Sequence, residues 1–199
     1  NDKPDLRADK NNPNELAFAF ITDFPMFEKK EGGSLVAVHH PFTLPTFDTT
    51  LDPERFQHEY EEHGKLLQTL NSGSEKEVLA LRAYQYDFVL NGYEIGGGSI
   101  RTYDPEVLRM VFRRLGHSDQ EIESQFGHLM EAFSYGAPPH GGIASGIDRF
   151  IMIMQNEPNI REVIAFPKTG EGYDPMMQSP SEVKKEQLEE LGLEIRKKK

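Results

Sequence analysis

The sequence predicts an α+β domain, a mainly antiparallel sheet flanked by helices. Three observations carry that prediction. The β-rich segments come in hairpin-like runs, the helical segments are grouped, and Asn91-Gly92 stands between two apolar β-rich stretches. Asn-Gly between such stretches marks a two-residue type I′ turn, because both of its central positions need φ > 0. A doubly wound sheet would instead need strands and helices to alternate.

In chain order, Asn1 to Asn14 is polar and reads as loop. Leu16 to Phe24 and Ser34 to His39 are apolar and β-rich, so both read as strands, with the loop Lys29 to Gly33 between them. Asp52 to Leu70 reads as a helix. Asp52 suits the N-cap and Pro53 the first turn, while Phe56, Tyr60 and Leu67 form a narrow apolar stripe opposite an acidic face. After the loop Asn71 to Ser74, Glu77 to Leu90 and Tyr93 to Tyr103 read as two long strands around the Asn91-Gly92 turn. Asp104-Pro105 opens a helix with Val107, Leu108, Val111, Phe112 and Leu115 on one face, ended by Gly116. Ser118 and Glu121 form a capping box for a helix that buries Ile122, Phe126, Leu129, Met130 and Phe133. A strand from Gly142 to Ser145, a helix from Ile147 to Asn156 and a strand from Glu162 to Phe166 follow. Ser179-Pro180 with Glu182 reads as the cap of a last helix running to Leu191, and Lys197 to Lys199 as a solvated tail.

Composition bounds the function. The 199 residues suit one domain or one large piece of a bigger one. Thirteen Phe and seven Tyr give core bulk to a chain that is only 37% hydrophobic. There is no Cys, which excludes disulfides, zinc–thiolate sites and thiol nucleophiles and fits a reducing, cytoplasmic compartment. No apolar run approaches a membrane span, and the opening residues are too polar for a signal peptide. A net charge of −11 argues against nucleic-acid binding through bulk charge, though not against a local basic groove.

The richest stretch is Tyr86 to Arg101, YDFVLNGYEIGGGSIR. The hairpin pairs Leu90 with Tyr93, Val89 with Glu94 and Asp87 with Gly96, which places Asp87 and Glu94 diagonally on one face. Diagonal neighbours lie about 7–8 Å apart at the backbone, so both carboxylates can reach one cation. Mg²⁺ is commonly held by one or two carboxylates plus substrate phosphates. Gly96, Gly97 and Gly98 would leave the sheet bare for a flat ligand; a solvated face with a glycine bulge is the plainer alternative. A second stretch, Pro138 to Arg149, brings a glycine-rich strand to a helix start with Asp148 and Arg149 in its first turn. That suits an anion, or equally a surface salt bridge. Its spacing matches neither a P-loop nor a Rossmann fingerprint. His39 and His40 point to opposite sides of a strand end, so they suit a structural role or contact with an anionic substrate better than one shared metal.

Together these stretches resemble the catalytic domain of the class II aminoacyl-tRNA synthetases, in the bacterial-type aspartyl branch. DKPDLR at 2–7, ITDFPMFE at 21–28, HHPFT at 39–43, YDFVLNGYEIGGGSIR at 86–101, GAPPHGGIASGIDRF at 136–150, IREVIAFPKT at 160–169 and SPSEV at 179–183 fall in the family's order. The resemblance implies an antiparallel sheet flanked by helices. It also implies ATP-dependent activation of L-aspartate to aspartyl-adenylate, transfer to tRNA, Mg²⁺ as cofactor, and a homodimeric parent enzyme. By position, Arg101 is similar to the arginine that pairs with the substrate's side-chain carboxylate and His39 to a second aspartate contact. Asp87 and Glu94 correspond to the Mg²⁺–ATP carboxylates. Gly146, Ile147, Asp148 and Arg149 correspond to the ATP site of motif 3, with Arg149 on the γ-phosphate. Arg101, Arg149 and Glu94 would carry the catalysis, by positioning and charge stabilisation.

Departures bound the resemblance. No segment resembles motifs 1 and 2 or the anticodon-binding barrel, so residues 1–199 read as the C-terminal part of the catalytic domain. DKPDLR is joined to LAFAFITDF by residues 8–15 alone, where many bacterial members carry an extra domain. The segment from Thr46 to Tyr84 is longer than usual, and Ser145 stands where a bulky Phe is usual. Loss of motif 2 leaves a second reading, a non-catalytic synthetase-like module that binds a ligand or partner. A third, a sibling ligase for asparagine or lysine or an amide-forming relative, fits HHPFT and GGGSIR poorly. The resemblance needs Glu94 and Arg101 in one pocket, yet strict alternation from the hairpin separates them. It therefore predicts a bulge or break within Gly96 to Ser99.

Overall fold

The computed structural model describes residues 3–48 and 59–196, with the side chains of 59–61 left out. The chain divides into two compact units, Asn1–Ile147 and Asp148–Lys199. The first holds a four-stranded antiparallel sheet in the order β1-β7-β8-β9: β1 (Phe18–Ile21), β7 (Gln85–Leu90), β8 (Tyr93–Ile100) and β9 (Gly141–Ser145). Beside it lie β2 (Phe24–Pro25) and β5 (Pro45–Thr46), both paired with β6 (Arg82–Ala83), and a two-stranded ribbon of β3 (Phe27–Lys29) and β4 (Leu35–Ala37). Every strand pair in these sheets is antiparallel, as the grouping of the segments predicts.

The Asn91-Gly92 turn has the positive φ values of its type, 50° and 83°. Asn91 does a second job. Its side-chain oxygen accepts from the Ala17 amide at 2.9 Å and its side-chain nitrogen donates to the Glu15 carbonyl at 3.0 Å, which ties the entry of β1 to the hairpin. The stretch Leu16 to Phe24 is two short strands rather than one, because Asp23 turns the chain at φ 63°.

Helix α1 (Glu59–Ser72) packs on α3 (Pro105–Arg114) through a core that includes Leu66, Leu70, Val78, Leu81, Val107 and Val111. The predicted cap Asp52, with Pro53 and Phe56, lies outside the described residues, as does the side chain of Tyr60. Leu67 is only partly buried, and Leu66 and Leu70 carry the apolar face. Glu77 opens no strand. Ser74 accepts from the Glu77 amide, and the Glu77 carboxylate accepts in return from the Ser74 amide at 2.7 Å. This capping box opens the short helix α2 (Glu75–Leu79). The same device starts α4 (Asp119–Ser134) at Ser118 and Glu121, as predicted. Asp104 caps α3, accepting from the amides of Glu106 and Val107 at 2.7 and 3.1 Å. Leu108, Phe112, Ile122 and Met130 form a second core, where Phe112 stacks on Phe126 at 4.3 Å.

The second unit begins within α5 (Ile147–Met154) and ends after α6 (Lys185–Glu190). Glu162 to Phe166 is not the predicted strand: Ile160–Glu162 is a 3₁₀ turn, and Phe166 is 67% exposed. An isolated EVIAF segment needs a partner strand, and none lies among the described residues of this unit. Ser179 does not cap α6, because its amide and carbonyl are paired with Asp174, and the helix starts after Lys184. The Lys197 to Lys199 tail lies outside the described residues.

Candidate active site

Asp87 and Glu94 converge on one face of the β7–β8 hairpin. Gln85, Asp87 and Val89 are the buried, alternate residues of β7, and Val89 faces Glu94 as the turn dictates. Beyond that pair the register shifts. Phe88 faces Gly96 and Asp87 faces Gly97, so Ile95 is an extra residue in β8. The predicted pairing of Asp87 with Gly96 is thus off by one, and the bulge precedes the predicted stretch Gly96 to Ser99. The cause is the neighbouring strand. From Gly96 to Ile100, β8 is held by β9, and to Ser99 by β7 as well, so the extra residue falls where β9's pairing has ended. There the Ile95 carbonyl accepts from the Gly146 amide at 2.7 Å.

The bulge has the consequence expected of it. Alternation from Gly97 places Ser99 and Arg101 on the face of Asp87 and Glu94. A Cβ built on Gly97 would lie 3.3 Å from both Asp87 Oδ1 and Glu94 Oε1, so the two carboxylates meet over a residue where a methyl would press on both. Gly96 and Gly98 do not form the bare ligand platform expected of them. They face the other way, and a Cβ on Gly98 would sit 1.8 Å from the Gly142 carbonyl oxygen; β9 approaches only because nothing is there.

A cation already bridges the carboxylates. Lys3 donates from Nζ to Asp87 Oδ2 and lies 3.9 Å from Glu94 Oε2. The Asp87 side chain is only 2% exposed, and a carboxylate so buried needs such a partner. Lys3 Nζ also sits 5.8 Å from the centre of the Phe24 ring, whose neighbour at 4.7 Å, edge to face, is His39. His39 thus reaches the margin of this face. His40 lies deeper: Ser99 Oγ is 3.4 Å from its Nε2, and Thr43 Oγ1 is 3.3 Å from its Nδ1. Burial, then the charges of Arg101 and His39, hold the His40 imidazole below its ordinary pKa. The HHPFT loop is stitched to the end of β8 by Leu44 donating to Ile100 and Thr102 donating to Phe42, at 2.9 and 2.8 Å.

Of the predicted residues, Asp87, Glu94 and Arg101 share this face, with His39 at its edge and Gly146 bonded to the bulge. Ile147 opens α5, and Asp148 and Arg149 occupy its first turn, the start of the second unit. Sequence reasoning missed Lys3 and Gln85, and of the two roles it allowed His40 the structural one fits its place beside Ser99 and Thr43. Lys3 stood in the DKPDLR string without a role, and no spacing rule links it to Asp87, 84 positions away. Gln85 is buried beside Ser99, and its Oε1 has no hydrogen-bond partner among the described residues. Two convergent carboxylates already holding a cation suit Mg²⁺, which needs few protein ligands when phosphates and waters supply the rest.

The family described as tRNA synthetases class II (D, K and N) matches residues 1–170. The aspartate–tRNA ligase of Listeria welshimeri is 48% identical over 188 residues, covering 94% of this chain and 28% of that protein. The aspartate–tRNA ligase of Streptococcus pyogenes is 46% identical over 182 residues, covering 91% of this chain and again 28% of the relative. The chain therefore spans somewhat over a quarter of the length of these relatives. Among solved structures, the aspartyl tRNA synthetase of Entamoeba histolytica matches with a TM-score of 0.51 at 22% identity, covering 79% of this chain and 24% of that one, a likeness of fold. By the family match and the mainly antiparallel α+β fold, the chain belongs to the class II tRNA synthetases of the D, K and N group.

Proposed function

We propose that residues 1–199 are the C-terminal part of the catalytic domain of an aspartate–tRNA ligase, the part that grips Mg²⁺–ATP and the side chain of L-aspartate. The observation that carries this reading is the meeting of Asp87 and Glu94 over Gly97, on the face to which the Ile95 bulge returns Arg101. The parent enzyme activates L-aspartate with ATP to aspartyl-adenylate and transfers the aspartyl group to its tRNA. It works as a cytoplasmic homodimer.

In this reading Arg101 pairs its planar guanidinium with the substrate's side-chain carboxylate, which a neutral amide cannot match. His39 closes the same end of the pocket. Asp87 and Glu94 hold Mg²⁺, which when bound neutralises charge on the phosphates of ATP. Gly146, Ile147, Asp148 and Arg149 take the nucleotide as motif 3, with Arg149 on the γ-phosphate. The protein contributes position and fixed charge rather than a nucleophile.

Equilibrium binding tests the proposal on the 199-residue chain. ATP should bind in the presence of Mg²⁺ and lose affinity in Glu94→Gln. L-aspartate should bind better than L-asparagine, and Arg101→Gln should erase that preference. Nucleotide binding indifferent to Mg²⁺ and to Glu94 would sink the assignment. Without the arginine of motif 2, aspartate-dependent ATP–pyrophosphate exchange by this chain should run at least ~10²–10³ below that of an ordinary full-length synthetase.

A further inference from the structure

We infer that Lys3 is a built-in counter-ion of the Asp87–Glu94 pair, one that Mg²⁺ must displace in order to bind. The inference rests on the assignment of that pair to the metal. Four observations carry it. Lys3 donates to Asp87 Oδ2 and lies 3.9 Å from Glu94 Oε2, so a single ammonium addresses both carboxylates. Those carboxylates meet over Gly97, each with an oxygen 3.3 Å from where a Cβ would stand, so both face the same side of the hairpin and no side chain separates them there. The Lys3 backbone is itself anchored: its carbonyl oxygen is 3.5 Å from where a Cβ on Gly92 would lie, and Asp5 Cβ is 3.3 Å from it, so the segment lies against the hairpin turn. Arg7 then donates to both oxygens of Asp5, at 3.0 and 2.7 Å, and fixes the chain two residues on. The ammonium is held at the carboxylates by the backbone that carries it.

Charge decides which cation wins. One ammonium matches the charge of one carboxylate, whereas a divalent ion matches that of two. Without that ammonium, the nearly buried carboxylate of Asp87 would lose the cation bonded to it. Lys3 therefore keeps the pair converged while the metal is away. It yields when Mg²⁺ arrives because an ammonium on a flexible four-carbon stem swings out to water, where its side chain is already 26% exposed. The cost of that exchange falls on metal affinity.

The test uses the whole chain and Mn²⁺ as the probe, followed by electron paramagnetic resonance and by calorimetry. Lys3→Met keeps the aliphatic stem and removes the charge, and it should bind Mn²⁺ about three- to tenfold more tightly than the unaltered chain. Lys3→Arg, still a cation, should stay near the unaltered value. Lys29→Met, which removes an equal charge from a surface pair with Glu75, should stay there too. In the unaltered chain, acylation of the Lys3 amine by a succinimidyl ester, read by mass spectrometry, should speed up when Mn²⁺ is added. Equal or weaker binding by Lys3→Met, or a Lys3 amine whose acylation ignores Mn²⁺, would overturn the inference. Asp87→Asn separates it from the reading beneath it. If that variant loses Mn²⁺ while Lys3→Met gains nothing, only the role of Lys3 fails. If Mn²⁺ binding ignores Asp87, the metal assignment fails and takes the Lys3 inference with it.

Discussion

On one face of the four-stranded sheet, Gln85, Asp87 and Ser99 are buried, at 7%, 1% and 0% exposure; on the other, Phe18 and Phe20 are open at 49% and 63%. The same alternation along β1, β7 and β8 produces both faces. The polar face is closed over by the N-terminal segment and the HHPFT loop, which bring Lys3 to Asp87 and His40 to Ser99. The opposite face carries a stack of Phe18 and Phe20 on Phe88, with ring centres 5.5 and 4.7 Å apart. Burying polar groups while exposing aromatic ones runs against the hydrophobic effect, so each face answers to something other than stability. The first is shaped around charge. The second leaves an aromatic patch open to solvent.

The sharpest way to break the contrast is through the glycines that separate the faces. Gly98→Ala puts a methyl 1.8 Å from the Gly142 carbonyl oxygen and 2.9 Å from the Tyr86 ring, so β9 must peel away. A loss of about 2–4 kcal/mol in urea unfolding is expected. Gly97→Ala, one residue along and facing the carboxylates, meets side chains at 3.3 Å that can yield. It should cost less than about 1 kcal/mol in stability and show itself as weakened Mn²⁺ binding. Equal destabilisation by the two would mean that the glycines do not divide the labour between faces.

Gln85 tests whether the polar face is a compromise. Its buried Oε1 lacks a partner among the described residues, and an unsatisfied buried acceptor costs about 1–3 kcal/mol. Gln85→Met keeps the volume and removes the unmet demand. It should raise stability by about 1 kcal/mol, seen as a melting shift of roughly 2–4 °C for a chain of this size. A drop in melting temperature would show that the amide is satisfied in solution. The aromatic face is tested in the opposite sense. Phe18→Thr with Phe20→Thr keeps β-forming residues and removes the stack. Stability should fall by no more than about 1.5 kcal/mol, since those rings are already in water. Sedimentation should show the unaltered chain self-associating and the double variant doing so less. Unchanged association would place the sticky surface elsewhere.

These faces also show what a sequence can and cannot disclose. Asn91-Gly92 specifies its turn by backbone sterics alone, and from it the pairs Leu90–Tyr93 and Val89–Glu94 follow by counting. The Asp104 cap and the Ser118–Glu121 box are equally local, and so equally legible. The Ile95 bulge was only half legible. That Arg101 must change face can be argued from the resemblance, but its location depends on where β9 stops pairing, a non-local fact. Ser74 and Glu77 form the same capping box as Ser118 and Glu121. It was overlooked because the β-rich run behind it reads as one long strand. EVIAF illustrates the reverse error: β-propensity without a neighbour makes no strand. Lys3 was illegible, because contacts across 84 positions leave no periodic trace.

The smallest expected effect concerns acidity on the polar face. His40 is held below its ordinary pKa mainly by burial, and further by the charges of Arg101 and His39. An unfolded imidazole titrates near ~6.5. Between that value and the lower folded one, the unfolded chain binds the extra proton, so stability rises with pH across this interval and is lost as pH falls through it. A histidine that gains an acidic partner would behave in the opposite way. The carboxylates held low by neighbours, Asp5 by Arg7 and Asp119 by Arg113, weaken the fold only at lower pH, as they are protonated. The slope of stability just below pH ~6.5 therefore contains a share that belongs to His40. His40→Gln retains groups able to bond Ser99 and Thr43 but does not titrate, so urea unfolding across pH ~5 to ~7 should give a flatter profile than the unaltered chain. A variant as steep as the original would mean that the imidazole is solvated and that the HHPFT loop does not close over this face.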